Sequence, residues 1–242
     1  MCGRYAQSKS MADLVEEFGI NGSTPVDPLP ANWNIAPTNE IYIVRQNGSS
    51  RELELSTVSW GLIGHWHKDA ATARASQSHA INARSESIFE KPTFRDSFRK
   101  HRCLIPADGY YEWATALGVY RPKQPFYISR QDEHSLSLAG IWSTWISPTG
   151  HVIESAAIIT REAVGMLEPI HHRMPVIMPS ERWGAWLDPA QREVETLCDL
   201  MEFSEPDRGL TAHAVSDSVN TVANNGAAMT QPITLGDPET LF

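Results

Sequence analysis

The chain has 242 residues, 41% of them hydrophobic and 20% charged, and this composition predicts a globular protein with a sizeable core. It contains neither a run of about 18 apolar residues that could cross a membrane nor the apolar core of a secretory signal. The cysteines Cys2, Cys103 and Cys198 are widely spaced and form no CxxC pair, so they indicate neither a disulfide framework nor a zinc site. We expect an intracellular, cytoplasmic protein in which Cys103 and Cys198 are small buried side chains.

The first residues, Met1-Cys2-Gly3-Arg4, place a small residue after the initiator methionine. Removal of that methionine would leave Cys2 as a 1,2-aminothiol, with an amine and a thiol on one residue. The amine condenses with an aldehyde to an imine, and the thiol then closes a five-membered thiazolidine ring. With a pKa near ~7.7–8 for the amine and ~8.5 for the thiol, both groups react at neutral pH. Taken alone, the alternative is a start codon followed by an arbitrary small residue.

The pattern of the chain predicts one α+β domain. Ser10 caps a helix that places Met11, Leu14 and Phe18 on one face and ends at Gly19. Residues 22–40 are rich in Pro, Asn and Gly and predict an ordered loop, and Ser180–Leu187 and Val194–Met201 predict two later helices. Because strands and helices do not alternate regularly, a doubly wound parallel sheet is not expected. Strands are predicted at Ile41–Val44, Leu53–Trp60, Pro125–Ser129, Ser135–Trp145 and Val152–Thr160.

The formal net charge of −9 is unevenly distributed. Residues 181–242 have a net charge of −8, whereas residues 1–180 have a net charge of −1. Within the first part, Lys91–Arg102 contains five basic residues and one acidic residue. This run predicts either a local cationic surface or an ordinary solvated helix face, so the total charge does not exclude a DNA partner.

The glycine-rich phosphate loops GxGxxG and GxxxxGK[ST] are absent, and no cofactor is expected.

Polar residues in apolar surroundings are candidates for chemistry, and each has an ordinary structural alternative. Asn82 lies between apolar neighbours, where a turn or cap is the commoner role. Glu112 follows two tyrosines in a predicted strand; it is either buried with a raised pKa or faces water on alternate strand positions. His171 and His172 are adjacent and therefore expected to point in different directions, which makes a buried, hydrogen-bonded histidine the default. A metal site at His65-Trp66-His67 lacks a third ligand nearby.

Taken together, the motifs resemble the SOS-response-associated peptidase (SRAP) family of abasic-site-processing proteins, from residue 2 to about Gly226. The departure is at Gly64–His67, where relatives often have two adjacent tryptophans and this chain has only Trp66. The matching segments occur in this order: Met1–Tyr5, Asn34–Pro37, Ser59–Gly61, Ile81–Arg84, Arg102–Trp113, Pro125–Phe126, Ala139–Trp142, Ile170–Pro175 and Val215–Asn220.

The resemblance implies a single domain over residues 2–226, with curved, mostly antiparallel sheets forming a barrel-like core, peripheral helices, and a tail at 227–242. It also implies a monomer that acts on single-stranded DNA containing abasic sites, without a membrane or a metal. After removal of Met1, Cys2 would form a thiazolidine crosslink with the opened sugar and so shield the lesion from strand scission. This chemistry agrees with that expected of the aminothiol.

The same resemblance suggests roles for further residues. The implied catalytic group is Cys2 with Asn82 to orient the aldehyde, Glu112 as proton donor, and His171 to contact the thiol or sugar and permit slow β-elimination. The implied DNA contacts are Arg4, Trp66, Arg84, Thr160 and Arg173, with arginine suited to phosphate and tryptophan to base stacking. For Trp60, we expect a position in the core.

Two other classes of function remain open at this point. One is a peptidase in which Cys2 is an amino-terminal nucleophile, with removal of Met1 as an autocatalytic step. Cleavage of a peptide substrate, lost in Cys2→Ala, would favour it. The other is a non-covalent DNA-binding protein in which Cys2 is structural, and equal binding of intact and abasic strands would favour that class.

Overall fold

The computed structural model describes residues 2–115, 120 and 122–235. More of these residues lie in strands than in helices, and the helices are short and peripheral. The helices are α1 (Met11–Glu17), α2 (Ala70–Gln77), α3 (Arg95–Lys100), α4 (Trp183–Leu187) and α5 (Val194–Met201). The strands are β1 (Tyr5–Gln7), β2 (Asn32–Ile35), β3 (Glu40–Gln46), β4 (Leu53–Trp60), β5 (Asn82–Arg84), β6 (Arg102–Ala107), β7 (Gly109–Trp113), β8 (Pro125–Arg130), β9 (Leu136–Ile146), β10 (Val152–Glu162), β11 (Arg173–Pro175) and β12 (Leu210–Ala214).

Five of the strands close into a barrel. Strand β3 pairs with β4 and β6, β6 with β9, and β9 with β10. The ring is completed by β10 and β4, its one parallel pair. Closure pairs the edges that an open sheet would leave exposed. The predicted α+β class and barrel-like core are confirmed.

A second, antiparallel sheet has the order β12-β8-β7-β1-β2 and shares the main hydrophobic core with the barrel. Cys2 and Tyr5 contribute to this core from the second sheet, and Ile43 and Ile158 contribute from the barrel. Trp60 is fully buried and donates its indole N–H to the Ile81 carbonyl, so its predicted place in the core is confirmed.

Local sequence signals explain the first helix. The Ser10 hydroxyl accepts from the Asp13 N–H, and the Asp13 carboxylate accepts from the Ser10 N–H, which forms a capping box before α1. After the helix, Gly19 adopts a φ of +62°, a left-handed conformation that glycine tolerates at helix ends. The predicted helix at Met11–Phe18 is confirmed.

The five long strands and helix α5 also lie where predicted, with ends within two residues. The helix predicted to begin at Ser180 starts as a 3-10 helix, Ser180–Arg182, which leads into α4. Cys103 is buried as expected, and Cys198 is half-buried. The segment 22–40 is not all loop, because it contains β2. Strands β1, β5, β6, β11 and β12 and helices α2 and α3 were not predicted. No helix in the described part of the chain is long and apolar enough to cross a bilayer.

The segment after the predicted domain boundary at Gly226 contacts the body of the protein. Residues Ala227–Thr230 form a 3-10 helix, and Met229 is buried in a cluster with Ala6 and Tyr111 of the second sheet. The division into a domain at residues 2–226 and a tail at 227–242 stays a prediction.

Candidate active site

Strand register brings several of the predicted site residues onto one face. Short β5 runs parallel to β10, with Asn82 opposite Ile158 and Arg84 opposite Thr160. On the other side, β11 is antiparallel to β10 and places Arg173 opposite Glu162. Paired residues on neighbouring strands share a face, and so do residues two apart on one strand. Asn82, Arg84, Thr160 and Arg173 therefore project from the same surface of three adjoining strands.

Asn82 connects this surface to the amino-terminal cysteine. Its Nδ2 donates to the Cys2 carbonyl at 2.8 Å. Its Oδ1 is buried and accepts no hydrogen bond from any residue that the structure describes. The commoner role of turn or cap does not apply, because Asn82 begins strand β5. A buried amide oxygen is a strong acceptor, and here it lies beside the cysteine backbone.

Glu112 and His171 form the second part of the site. Glu112 lies on β7 and is 3% exposed, so the alternative of a solvated strand residue is wrong. Its Oε2 is 4.0 Å from the Nε2 of His171. Burial raises the pKa of Glu112 to about 7, and burial lowers the pKa of His171 to about 4. The two groups are therefore not oppositely charged at neutral pH, and Glu112 is the group that exchanges a proton there.

The orientation of His171 follows from its backbone contact. Its Nδ1 accepts a hydrogen bond of 3.0 Å from the Arg173 N–H. In the neutral ring the proton is therefore assigned to Nε2, which faces Glu112. The rings of His171 and His172 are stacked, with centroids 4.4 Å apart and planes 27° apart. The expectation that adjacent histidines diverge is wrong here, because the extended backbone before β11 bends and lets the two rings overlap.

The Cys2 thiol lies inside the protein. Cys2 is fully buried, and burial together with the charge of Glu112 raises the pKa of the thiol. The Arg4 backbone N–H donates to the sulfur. The thiol is therefore protonated at neutral pH, and a thiolate is not its resting form.

The three predicted arginines have different surroundings. Arg84 is exposed. Arg173 is 6% exposed; it pairs with the Glu86 carboxylate and donates to the Thr160 carbonyl at 2.7 Å. Arg4 is half-buried and directs Nη1 into the protein. Contacts of these residues and of fully buried Thr160 with DNA stay predictions.

The loop before helix α2 carries the predicted stacking residue. Trp66 is 44% exposed, and its indole lies directly over Gly64, where a Cβ atom would come within 2.2 Å of the ring. The His65 ring contacts Trp66 edge-on, at 5.2 Å between centroids. The part of the chain that the structure describes contains no group of three or more potential metal-ligating His, Cys, Asp or Glu side chains.

Sequence reasoning missed other residues around the cysteine. Tyr110 is two residues before Glu112 on β7, is almost fully buried, and has its pKa raised by burial and by the charges of Cys2 and Glu112. Tyr5 is also buried beside Cys2. The alternation of β7 was the available signal, because residues two apart lie on the same face.

These features define an α+β barrel protein whose amino-terminal cysteine is enclosed with an amide, a carboxyl group and an imidazole. The chain matches the SOS response associated peptidase (SRAP) family over residues 1–222 and belongs to that family.

Two bacterial relatives share this similarity over nearly their whole length. Abasic site processing protein YoqW of Bacillus subtilis (strain 168) is 33% identical over 225 residues, covering 93% of this chain and 96% of YoqW. Abasic site processing protein YedK of Escherichia coli (strain K12) is 30% identical, covering 96% of this chain and 100% of YedK. A crystal structure of a Bacteroides thetaiotaomicron protein superposes with a TM-score of 0.82 at 27% identity, covering 96% of this chain and all of that one.

Proposed function

We propose that this protein processes abasic sites in single-stranded DNA by forming a covalent thiazolidine crosslink through Cys2, after removal of Met1. The observation that supports this most directly is the enclosure of Cys2. Asn82 holds its carbonyl at 2.8 Å, and its buried surroundings include Glu112, whose pKa is about 7. The names of the relatives, abasic site processing proteins, supply the substrate.

The first bond forms between the Cys2 nitrogen and C1′ of the opened sugar. A free α-amine has a pKa near ~7.7–8, so a usable fraction is unprotonated at neutral pH. Addition to the aldehyde gives a carbinolamine, with the amine proton transferred to oxygen. The buried Oδ1 of Asn82 suits an N–H donor on the attacking nitrogen and would hold its lone pair toward the aldehyde.

Loss of water from the carbinolamine requires a proton donor. Glu112 is about half protonated at pH 7, because burial raises its pKa to about 7. It donates this proton to the departing hydroxyl, which leaves as water, and the nitrogen lone pair forms the C=N bond of a protonated imine that keeps its N–H. His171 is neutral at this pH, and we assign its Nε2–H to contacts with the sugar that permit slow β-elimination, the step that leads to strand cleavage.

Ring closure uses the thiol and the same carboxyl group. Having lost its proton, Glu112 is a carboxylate and can accept the proton of the Cys2 thiol as the sulfur bonds to the imine carbon. The electron pair of the C=N bond returns to the nitrogen, which has kept its own proton, and the thiazolidine is complete. Because burial and the charge of Glu112 raise the thiol pKa, this assistance is needed at neutral pH. The same raised pKa gives no support to a thiolate peptidase.

Exposed Arg84 shares the surface of Asn82 and is the arginine best placed to bind a flanking phosphate. Trp66, with almost half of its surface exposed, suits stacking on a base.

The test is incubation of the purified protein with an oligonucleotide that contains one abasic site, followed by denaturing electrophoresis and intact mass spectrometry. The expected result is protein that lacks Met1 and forms a heat-stable adduct with abasic but not intact single strands. Cys2→Ala and a protein with an uncleaved amino-terminal tag are the controls, and both should form no stable adduct. Normal crosslinking by the tagged protein would refute the mechanism.

A further inference from the structure

The side chain of Arg4 is half-buried and is hydrogen-bonded to other parts of the protein. Its Nη1 donates to Asn34 Oδ1 at 2.7 Å and to the Val219 carbonyl at 2.8 Å. Its Nε is buried, and burial lowers the pKa of the guanidinium. Three elements distant in sequence therefore meet at one nitrogen atom of Arg4.

Asn34 connects Arg4 to the end of the fold. Besides accepting from Arg4, it donates through Nδ2 to the carbonyls of Thr221 and Asn224, at 3.0 and 2.9 Å. Asn34 is 2% exposed, and its backbone N–H is bonded to Asn32 Oδ1 at 2.8 Å. A buried amide with both of its polar groups bonded fixes the relative position of its partners.

The carbonyl groups that accept hydrogen bonds from the Arg4 and Asn34 side chains belong to residues Ser216–Asn225, here called the C-terminal clamp. The clamp begins with a 3-10 helix, Asp217–Asn220, and its Val219 side chain is fully buried. Asn220 Oδ1 accepts from the Trp113 indole at 2.7 Å, and Asn225 Oδ1 accepts from the Trp33 N–H at 2.9 Å. The clamp is thus attached to β7 and β2, the two strands that flank β1.

The backbone of Arg4 is connected to both reacting residues. Its N–H donates to the Cys2 sulfur, and its carbonyl accepts from the Tyr111 N–H at 2.9 Å, one residue before Glu112. We propose that Arg4 is a positioning residue: held by Asn34 and the C-terminal clamp, it fixes the backbone that presents Cys2 to Glu112 and does not contact DNA phosphate. This inference rests on the proposed function.

Two variants test opposite ends of the connection. Arg4→Ala removes both side-chain hydrogen bonds, whereas Asn34→Asp keeps an acceptor for Arg4 but loses the two donors to the clamp. Displacements of about 1 Å cost on the order of a hundredfold in rate at reacting groups, so both variants should crosslink roughly ten- to a hundredfold more slowly in single turnover. For Arg4→Ala, the dependence of DNA affinity on salt should equal that of the parent.

Two controls separate positioning from folding and from charge. Leu197→Ala leaves a cavity under helix α5, away from Arg4, and should lower the melting temperature about as much as Arg4→Ala does. Below its melting temperature, Leu197→Ala should nevertheless crosslink at the parental rate. Arg208→Ala removes an equally charged but exposed arginine and should change neither rate nor salt dependence.

A parental crosslinking rate in Arg4→Ala would overturn the inference. So would a salt slope shallower by about 0.7, which is the loss of one phosphate contact on a single strand. Slowing of Leu197→Ala to the same extent as Arg4→Ala would likewise overturn it, since loss of stability would then explain the rate. Failure of the parent protein itself to crosslink would refute the proposed function instead. Because the parent and the Arg4 variant are assayed separately, failure of the proposed function and failure of the Arg4 inference are distinguishable.

Discussion

Replacing Glu112 by glutamine tests the proton transfers most directly, because the side chain keeps its shape and loses its titrating proton. In the parent, the rate requires protonated Glu112, with a pKa of about 7, and an unprotonated amine, with a pKa near ~7.7–8. At pH 7 about half of the carboxyl groups and about a tenth of the amines are in the required forms. The product of the two fractions gives a bell-shaped profile with its maximum between pH 7 and 8, roughly midway between the two values.

Glu112→Gln should lose the descending limb of that profile. General acid–base assistance contributes about 10²–10⁴-fold, so crosslinking should slow by a factor in this range and rise to a plateau above about pH 8. DNA affinity should change little. The measurement is single-turnover crosslinking of one abasic oligonucleotide from pH 5 to 9. A Glu112→Gln rate within about twofold of the parent rate between pH 5 and 8 would refute the assignment of Glu112 as proton donor.

The same substitution has an effect on stability with a defined sign. The folded-state pKa of Glu112 is raised from 4.5 to about 7, so its protonated form is favoured on folding and this contribution is lost as pH rises through 7. A shift of this size corresponds to roughly 3 kcal/mol between pH 4 and pH 8. Glu112→Gln should therefore increase the free energy of unfolding at pH 8 relative to the parent, and much less at pH 4. An equal change at both pH values would show that Glu112 is not buried as a neutral acid.

Further predictions concern the nucleophile, the arginines and a turn. Cys2→Ser should give an adduct that is trapped by borohydride but is not heat-stable without it; an unreduced adduct as stable as the parent's would contradict the thiazolidine. Arg84→Ala should weaken DNA binding and make its salt slope shallower by about 0.7, and salt-independent binding by the parent would contradict the phosphate contact. Arg173→Ala should instead lower unfolding stability by about 1–3 kcal/mol, measured by denaturant titration, because its buried hydrogen bonds are lost; an unchanged stability would contradict this. Gly61→Ala should lower the melting temperature, because Gly61 has a φ of +113° and a Cβ atom would lie 2.4 Å from the carbonyl at the end of α2; an unchanged melting temperature would contradict that packing.

Sequence patterns were sufficient for elements with a strong local signal, although the short local helices α2 and α3 were not predicted. The capping box of Ser10 and Asp13 lies within four residues, and strand β4 has the predicted bounds, Leu53–Trp60. Strands of three residues, such as β5 and β11, have no periodicity of their own. They exist because β10 offers them pairing partners, 76 residues later for β5 and 11 to 15 residues earlier for β11, which a pattern within three residues does not reveal.

The site could be predicted as a set of residues but not as an arrangement. Motif order placed Cys2, Asn82, Glu112 and His171 together, whereas the burial of Glu112 depends on how β7 packs against the barrel, which alternation along one strand does not determine. The stacking of His171 on its neighbour likewise depends on a backbone bend before β11. For Arg173, charge suggested a surface contact, but the nearby carboxylate of Glu86 and the carbonyl of Thr160 hold it inside the protein.

The long sequence separations within the site have a consequence for biosynthesis. Asn82 follows Cys2 by 80 residues, and Val219 follows Arg4 by 215 residues. At a translation rate of about 5–20 residues per second, the clamp is synthesised roughly 10–40 s after the residues that it holds. Cys2 cannot be enclosed until its own partners Asn82, Glu112 and His171 have been synthesised within that interval. An aminopeptidase that acts on nascent chains would therefore reach the segment around Cys2 before the completed fold buries this cysteine.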